Sequence, residues 1–341
     1  MEQADVIIIG GGPAGIAAAI SCAQGGVRSL LVTERPQQLP ANYNAAAEPL
    51  QSLHPGVQSL LSQLQLPDAI THAARGVYTG IRTGDTATPL STVPGEVWTG
   101  SHIAPTLFTA SCIQTAQQLG VKVLFDTKVT DILLEDGKVC GIILAGGQQL
   151  KAGYVIDASG HKRFAGKYLT FEEQAHSQRL VCRTGNSFIP EQDDRDKETA
   201  IFVPDKHGWT WEAFSSSDYY TWTKLTVKNN GDVLYEEPTS LRKPGELRGG
   251  DMQWRVFRPL VCPGLLLAGD AAGILDPAAG QGILNGLLSG IMGAETVIKC
   301  IKQPFAANWY LTQYDSWYME LFNKKAEMLK KKYGELGISI N

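Results

Sequence analysis

The chain has 341 residues, 43% of them apolar, six cysteines and a formal net charge of -4. That length suffices for one large or two ordinary domains around a sizeable core. The near-neutral balance, with no long basic stretch interleaved with aromatics, argues against nucleic acid as a partner. Cysteines at 22, 112, 140, 182, 262 and 300 form no C-x-x-C pair. That spacing argues against zinc, any other metal site and a disulfide framework, and suits a reducing, cytoplasmic setting.

Val6 to Ile9 is a short β-rich run, as in a strand buried on both faces. Gly10, Gly12 and Gly15 follow as G-x-G-x-x-G. The first glycine permits a tight turn, the second lets a pyrophosphate approach the backbone, and the third lets the next helix pack on the strand. That helix is expected from Pro13 to Ala23, with Pro13 and Ala14 in its first turn and Gly25-Gly26 ending it. Its first N–H groups would face the anion. A secretory signal fits poorly, because there is no basic leader and Gly10 to Gly12 interrupt the apolar run. Ser29 to Thr33 reads as the second strand, and Glu34 stands at its end. A carboxylate there accepts hydrogen bonds from a ribose diol and repels a 2′-phosphate. At this point FAD and NAD both fit.

In "HIAPTLFT", His102 to Thr109, Pro105 suits the first turn of a helix. Val121 to Leu144 reads as three strands with Asp136-Gly137 as a hairpin turn. "VIDASGHKR", Val155 to Arg163, reads as a strand closed by Asp157. Residues 76 to 100 and 165 to 254 lack the βαβ pattern and suit an antiparallel sheet. Trp209 and Trp211 share one strand face, and Tyr220 and Trp222 share another. Aromatics at period two fit either a sheet core or the wall of a substrate pocket.

Leu265 to Ala268 is a further buried strand, with Gly269-Asp270 at the carboxyl end where ligands bind in open α/β sheets. Asp276-Pro277 leads into a loop containing Gly280 and Gly282, and a helix is expected from about Gln281. The C-terminal stretch reads as a helix with Trp309, Tyr310, Tyr314, Trp317 and Leu321 along one side. Its basic end carries Lys324, Lys325 and Lys330 to Lys332. Packing on the main domain is the ordinary reading, beside contact with a membrane surface or a partner protein. No apolar run is long enough to span a bilayer without glycines or charges, so no transmembrane segment is expected.

The two glycine motifs together resemble the FAD-dependent monooxygenases of the p-hydroxybenzoate hydroxylase fold. The resemblance is strongest to the branch holding geranylgeranyl reductases and flavin-dependent halogenases. It implies an α/β chain: a Rossmann-type FAD-binding domain, an inserted antiparallel substrate sheet and a C-terminal helix. The expected boundaries are 1–75, 101–164 and 255–302 for the FAD domain, 76–100 and 165–254 for the substrate domain, and 303–341 for the helix. It places Asp270 on the ribityl chain and the Pro277, Gly280, Gln281 and Gly282 segment beside the flavin pyrimidine ring. A helix N-terminus there stabilises the negative charge of reduced flavin. "ERPQQLPANYNAAAEPLQSLHP" resembles the halogenase-branch segment that precedes a helix near the flavin, with Glu34, Arg35, Glu48, Leu50 and Pro55 in rough register. Backbone around Val129 would hold the adenine.

The chain also departs from the pattern. Pro105 stands where many members carry an arginine that reaches the FAD, which implies weaker retention. "WTWEAF" resembles the halogenase W-x-W-x-I-P motif but ends differently, and no lysine for handling hypohalous acid can be placed between Arg75 and Leu90. Halogenation is therefore demoted. "QWRVFRPLVCPGLLLAGDAA" and the lysine-rich tail resemble most closely the flavoproteins that mature cysteine tryptophylquinone-dependent amino-acid oxidases.

The implied activity is hydroxylation of an electron-rich aromatic ring, a tryptophan of a precursor protein among them, through a flavin C4a-hydroperoxide. Reduction of a lipid-like double bond and a non-enzymatic FAD-bearing binding or chaperone protein are the alternatives. No second G-x-G-x-x-G exists, so NAD(P)H binds transiently or a separate flavin reductase supplies electrons. Candidate catalytic groups are Glu48, His54 and His207, with His102 also in the neighbourhood; for each histidine a satisfied structural role is the alternative. Trp209 and Trp211 are the candidate substrate contacts.

Overall fold

The computed structural model describes residues 4–46, 48–66, 68–189, 196–215, 219–228, 248–277 and 280–340. Its centre is a six-stranded sheet in the order 261–262, 265–267, 154–157, 6–9, 29–32 and 122–124. Val6–Ile9 pairs in parallel with Tyr154–Asp157 on one side and Ser29–Val32 on the other. All four residues of Val6–Ile9 are buried, as expected of a strand covered on both faces.

Helix α1, Pro13–Gln24, carries Pro13 at its start and leaves through Gly25 and Gly26, the latter at φ +74°. Two short helices, α2 (Val57–Gln63) and α3 (Ala69–Ala73), precede α4, Pro105–Gln118. The latter survives the proline because Pro105 sits where an N–H has no intrahelical partner. Helix α5, Gly282–Lys302, lies along α1. The crossing is close because the contact residues are small: a Cβ on Gly290 would stand 2.2 Å from the Ala14 carbonyl oxygen. Among the described helices α5 is long and apolar enough to cross a membrane, with mean hydropathy 1.2, and 56% of that stretch is buried inside the protein.

Strands Val129–Glu135, Lys138–Leu144 and Gln149–Lys151 form an antiparallel meander. Asp136 and Gly137 make its first turn, at φ +49° and +74°, the left-handed geometry that favours Asp-Gly. A seven-stranded sheet runs in the order 248–251, 180–188, 219–227, 208–214, 199–205, 80–83 and 86–89. Strands Gln51–Leu53, Gly100–Ile103 and Ala74–Tyr78 form a small sheet of their own.

Helix α6, Ala307–Glu335, runs the length of the C-terminal segment. Its buried face is Leu311, Tyr314, Tyr318, Phe322, Ala326, Leu329 and Tyr333. This corrects the expected face: of the five residues named from sequence only Tyr314 is in the core, and Trp309 is 60% exposed. Aromatics occur all round this helix, so size alone misplaces the stripe; the spacing of three and four residues defines it.

Candidate functional site

The site is built on the turn between Val6–Ile9 and α1. Gly10 has φ +105°, and a Cβ there would lie 2.4 Å from the Ala158 carbonyl oxygen. A Cβ on Gly15 would lie 1.9 Å from the Gly10 carbonyl oxygen. Both positions therefore demand glycine for packing. Gly12, the residue before α1, differs: its Cβ would meet no atom of the chain within 4 Å. The bare backbone at the amino end of α1 is the arrangement a pyrophosphate needs.

The D-A-S-G segment closes over this turn. Asp157 is fully buried, and its carboxylate accepts the Ser159 N–H at 2.9 Å and the Ala165 N–H at 2.6 Å. Burial pushes its pKa up, and those hydrogen bonds oppose the rise. The carboxylate thus pins both ends of the turn at residues 159–165. Two side chains of that turn reach the acids singled out from sequence. Lys162 Nζ lies 2.7 Å from Glu34 Oε2, and His161 Nδ1 lies 3.1 Å from Asp270 Oδ2. Glu34 and Asp270 thus flank one turn, which itself crosses the glycine loop. Arg35 follows Glu34, and loss of water lowers its pKa while Glu48 opposes that shift. The Arg35 carbonyl accepts the Asp126 N–H and the Thr33 carbonyl accepts the Thr127 N–H. These bonds draw the segment before Val129, which is buried, to the same strand end.

Asp270 lies in the 3₁₀ turn Gly269–Ala271. The Gly269 N–H donates to Ser289 Oγ of α5 at 2.9 Å. From α6, Tyr314 donates to the Leu267 carbonyl at 2.8 Å, Tyr318 lies 3.3 Å from the Gly269 carbonyl, and Lys325 donates to Asn285 in the first turn of α5. Burial pulls the Lys325 pKa down. Pro277 and Gly280 are half-buried, Gly280 at φ +59°, and Gln281 precedes the first residue of α5, Gly282. A Cβ on Gly282 would meet nothing within 4 Å, so the amino end of α5 is as bare as that of α1.

Gly280 faces the small sheet, its Cβ position 3.8 Å from the Ser52 carbonyl oxygen. Ser52 Oγ accepts the Trp211 Nε1–H at 2.9 Å and pairs with His102 Nδ1 at 2.9 Å. His102 is fully buried and stacked on Tyr78 at 4.6 Å, and Tyr78 meets Trp211 edge-on at 6.1 Å. Burial takes the His102 pKa down to about 3, so this ring is neutral. Nothing local in the sequence marks Ser52 or Tyr78, because their partners are brought by distant strands.

The candidate catalytic groups divide. Glu48 is buried, and its carboxylate accepts Tyr43 OH at 2.8 Å, the Thr106 N–H at 3.1 Å and Thr106 Oγ1 at 2.5 Å, with Arg248 at 3.3 Å. It caps the first turn of α4, a helix-holding task. His54 Nδ1 accepts the Gly56 N–H at 3.0 Å and closes the turn before α2. His207 is exposed in the Asp205–Gly208 hairpin turn, its N–H on Asp205; the structure does not bring it to the Gly280 segment. Trp209 is 2% exposed, with its indole N–H on Tyr333, so it packs in the core. Trp211, half-buried, is the member of the pair that reaches Ser52, whose carbonyl faces Gly280.

Residues 5–165 match the model of the FAD-dependent oxidoreductases. That match covers just under half of the chain. It is 25% identical to the digeranylgeranylglycerophospholipid reductase of Thermoplasma volcanium over 95% of this chain and 85% of the relative. Its fold matches the myxobacterial chondrochloren halogenase at TM-score 0.78 and 18% identity, over 98% of this chain and 83% of that one. It also matches the peptidyl tryptophan dihydroxylase QhpG, essential for tryptophylquinone cofactor biogenesis, at TM-score 0.75 and 17% identity, over 97% and 75%. The α/β Rossmann-like architecture with added sheets and a C-terminal helix is thus the fold that this chain shares with these proteins.

Proposed function

We propose that the chain is an FAD-dependent monooxygenase acting on an electron-rich aromatic ring. Gly10, Gly12, Gly15 and Glu34 would hold the ADP half of FAD, and Asp270 with Gly280 to Gly282 the riboflavin half. Bound FAD supplies the redox chemistry and the reaction with oxygen. NAD(P)H, directly or through a separate flavin reductase, supplies the electrons.

The chain's own residues bind, orient and exclude water. The amino end of α1 faces the pyrophosphate, and the amino end of α5 favours negative charge at the pyrimidine edge of the ring. Trp211, fixed by Ser52 and by the edge of Tyr78, provides a half-buried aromatic wall beside the Gly280 segment. That wall is the observation that carries the reading. An aromatic ring stacks on it, and a neutral His102 behind it adds no charge that would draw water in. Hydroxylation of this kind asks little acid–base work of the protein, which suits a site whose candidate acids are engaged in holding helices and turns.

Reduction of a lipid-like double bond is the second reading. It is supported by the digeranylgeranylglycerophospholipid reductases that align with 95% of the chain. The test starts from the FAD-loaded protein, reduced without oxygen. It is then mixed with oxygenated buffer and a tryptophan-containing peptide, the substrate class of the named dihydroxylase. A transient spectrum before oxidised flavin returns, with one oxygen atom gained by the peptide, supports the first reading. Anaerobic reoxidation by an isoprenoid alkene that loses a double bond replaces it with the second. A protein that takes up no FAD overturns both.

A further inference from the structure

Asp276 opens the segment that ends at α5, and it is 5% exposed. Its Oδ2 accepts the Trp254 indole N–H at 2.7 Å and the Tyr333 hydroxyl at 3.0 Å. The Tyr333 oxygen accepts in turn the Trp209 indole N–H at 2.7 Å. Trp254 and Tyr333 meet edge to face at 6.0 Å. The three aromatic side chains are each 2% exposed or less. Indoles only donate and a hydroxyl does both. The direction is therefore fixed: Trp209 donates to Tyr333, and Tyr333 donates to Asp276. The chain of bonds joins three separate parts of the fold. Trp209 belongs to the seven-stranded sheet, Tyr333 to the last turns of α6, and Asp276 to the segment that leads into α5.

We infer that Tyr333 is a positioning residue for the cofactor ring. With Trp209 it fixes Asp276 and Pro277 against the seven-stranded sheet; the Gly280 N–H, which donates to the Pro277 carbonyl at 2.8 Å, carries that position to the amino end of α5 beside the flavin. The inference rests on the FAD reading above. A phenylalanine at 333 keeps the ring packing but strands the buried Trp209 N–H and leaves Asp276 one donor short. The segment can then shift, and with it the partial positive charge of the α5 terminus. Because that charge favours reduced flavin, the midpoint potential reports the shift. A role confined to holding α6 on the core would leave the potential alone.

The experiment uses the full chain as wild type, Tyr333→Phe, Trp209→Phe and, for comparison, Tyr314→Phe. Tyr314 donates to the Leu267 carbonyl rather than to Asp276. Three quantities are measured: FAD affinity by fluorescence titration, the midpoint potential of the bound flavin, and thermal unfolding of the chain without FAD. Tyr333→Phe is expected to bind FAD about tenfold more weakly, the size of one lost hydrogen bond to a charged group. Its potential is expected to move below the wild-type value, while Tyr314→Phe lowers the unfolding temperature and keeps the potential. Wild-type affinity and potential in Tyr333→Phe, with only a lower unfolding temperature, overturn the inference and leave the FAD reading standing. Should Tyr333→Phe not fold, Trp209→Phe, which keeps the bond to Asp276, decides on the same two readouts. A wild-type chain that binds no FAD overturns the inference together with the reading beneath it.

Discussion

Gly12 and Gly15 stand three residues apart, yet a methyl group added to each meets opposite surroundings. Gly12 has extended backbone angles, φ -92° and ψ -178°, which any residue adopts. Its added Cβ touches nothing within 4 Å. Gly12→Ala therefore forfeits only the N-cap preference for glycine over alanine, about 0.5–1 kcal/mol. The same methyl stands where phosphate oxygens must approach the first N–H groups of α1. Losing two charge-assisted hydrogen bonds, at about 1.5 kcal/mol each, removes about 3 kcal/mol, roughly a hundredfold in Kd. At Gly15 the methyl lies 1.9 Å from the Gly10 carbonyl oxygen, a backbone atom that cannot swing aside. Strand and helix must separate, at the upper end of the roughly 1–3 kcal/mol that overpacking costs. Thermal unfolding without FAD and fluorescence titration with it separate the two effects. Gly12→Ala is expected to unfold near the wild-type temperature and to bind FAD about a hundredfold more weakly. Gly15→Ala is expected to unfold well below it. Wild-type FAD affinity in Gly12→Ala refutes the assignment of the pyrophosphate to this turn.

Asp270→Ala is expected to weaken FAD retention about tenfold by the loss of a charged hydrogen-bond acceptor; a flavin spectrum fully retained through gel filtration counts against the ribityl role. Gly290→Ala places a methyl 2.2 Å from the Ala14 carbonyl oxygen; it should cost about 1–3 kcal/mol in a denaturant titration, and an unchanged midpoint refutes the tight α1–α5 crossing. His102 is held neutral, its pKa taken from 6.5 to about 3 by burial. Its folded-state pKa is the lower one, so its contribution is whole above pH 6.5 and is lost as pH falls toward about 3. His102→Phe should flatten the acid limb of stability over that window, and a limb parallel to wild type refutes the burial argument.

What was legible in the sequence is what is local. The strand, glycine turn and helix from Val6 to Gln24 form within one stretch of chain, and so do the Asp136-Gly137 hairpin and the proline-led start of α4. The aromatic wall was not legible. Ser52 meets His102 across 50 residues and Trp211 across 159, and no periodicity within a strand announces a partner on another sheet. Trp209 and Trp211 show the limit clearly. The alternation puts both on one face, but only the neighbours of that face decide that Trp209 enters the core through Tyr333 while Trp211 reaches Ser52.

The same distinction explains the departure at Pro105. Read along the chain, the proline removes a cation from the start of α4. In three dimensions that helix end is occupied by the Glu48 carboxylate, which takes the Thr106 N–H and hydroxyl. An acid at a helix amino end is favourable in itself, and it leaves the site short of positive charge only if no other element supplies any. The turn pinned by Asp157 does supply one cation, bringing Lys162 to Glu34. A cation therefore reaches Glu34 from the strand end at Asp157, not from α4. Pro105 thus leaves the start of α4 without a cation of its own, while the turn after Asp157 places one at Glu34.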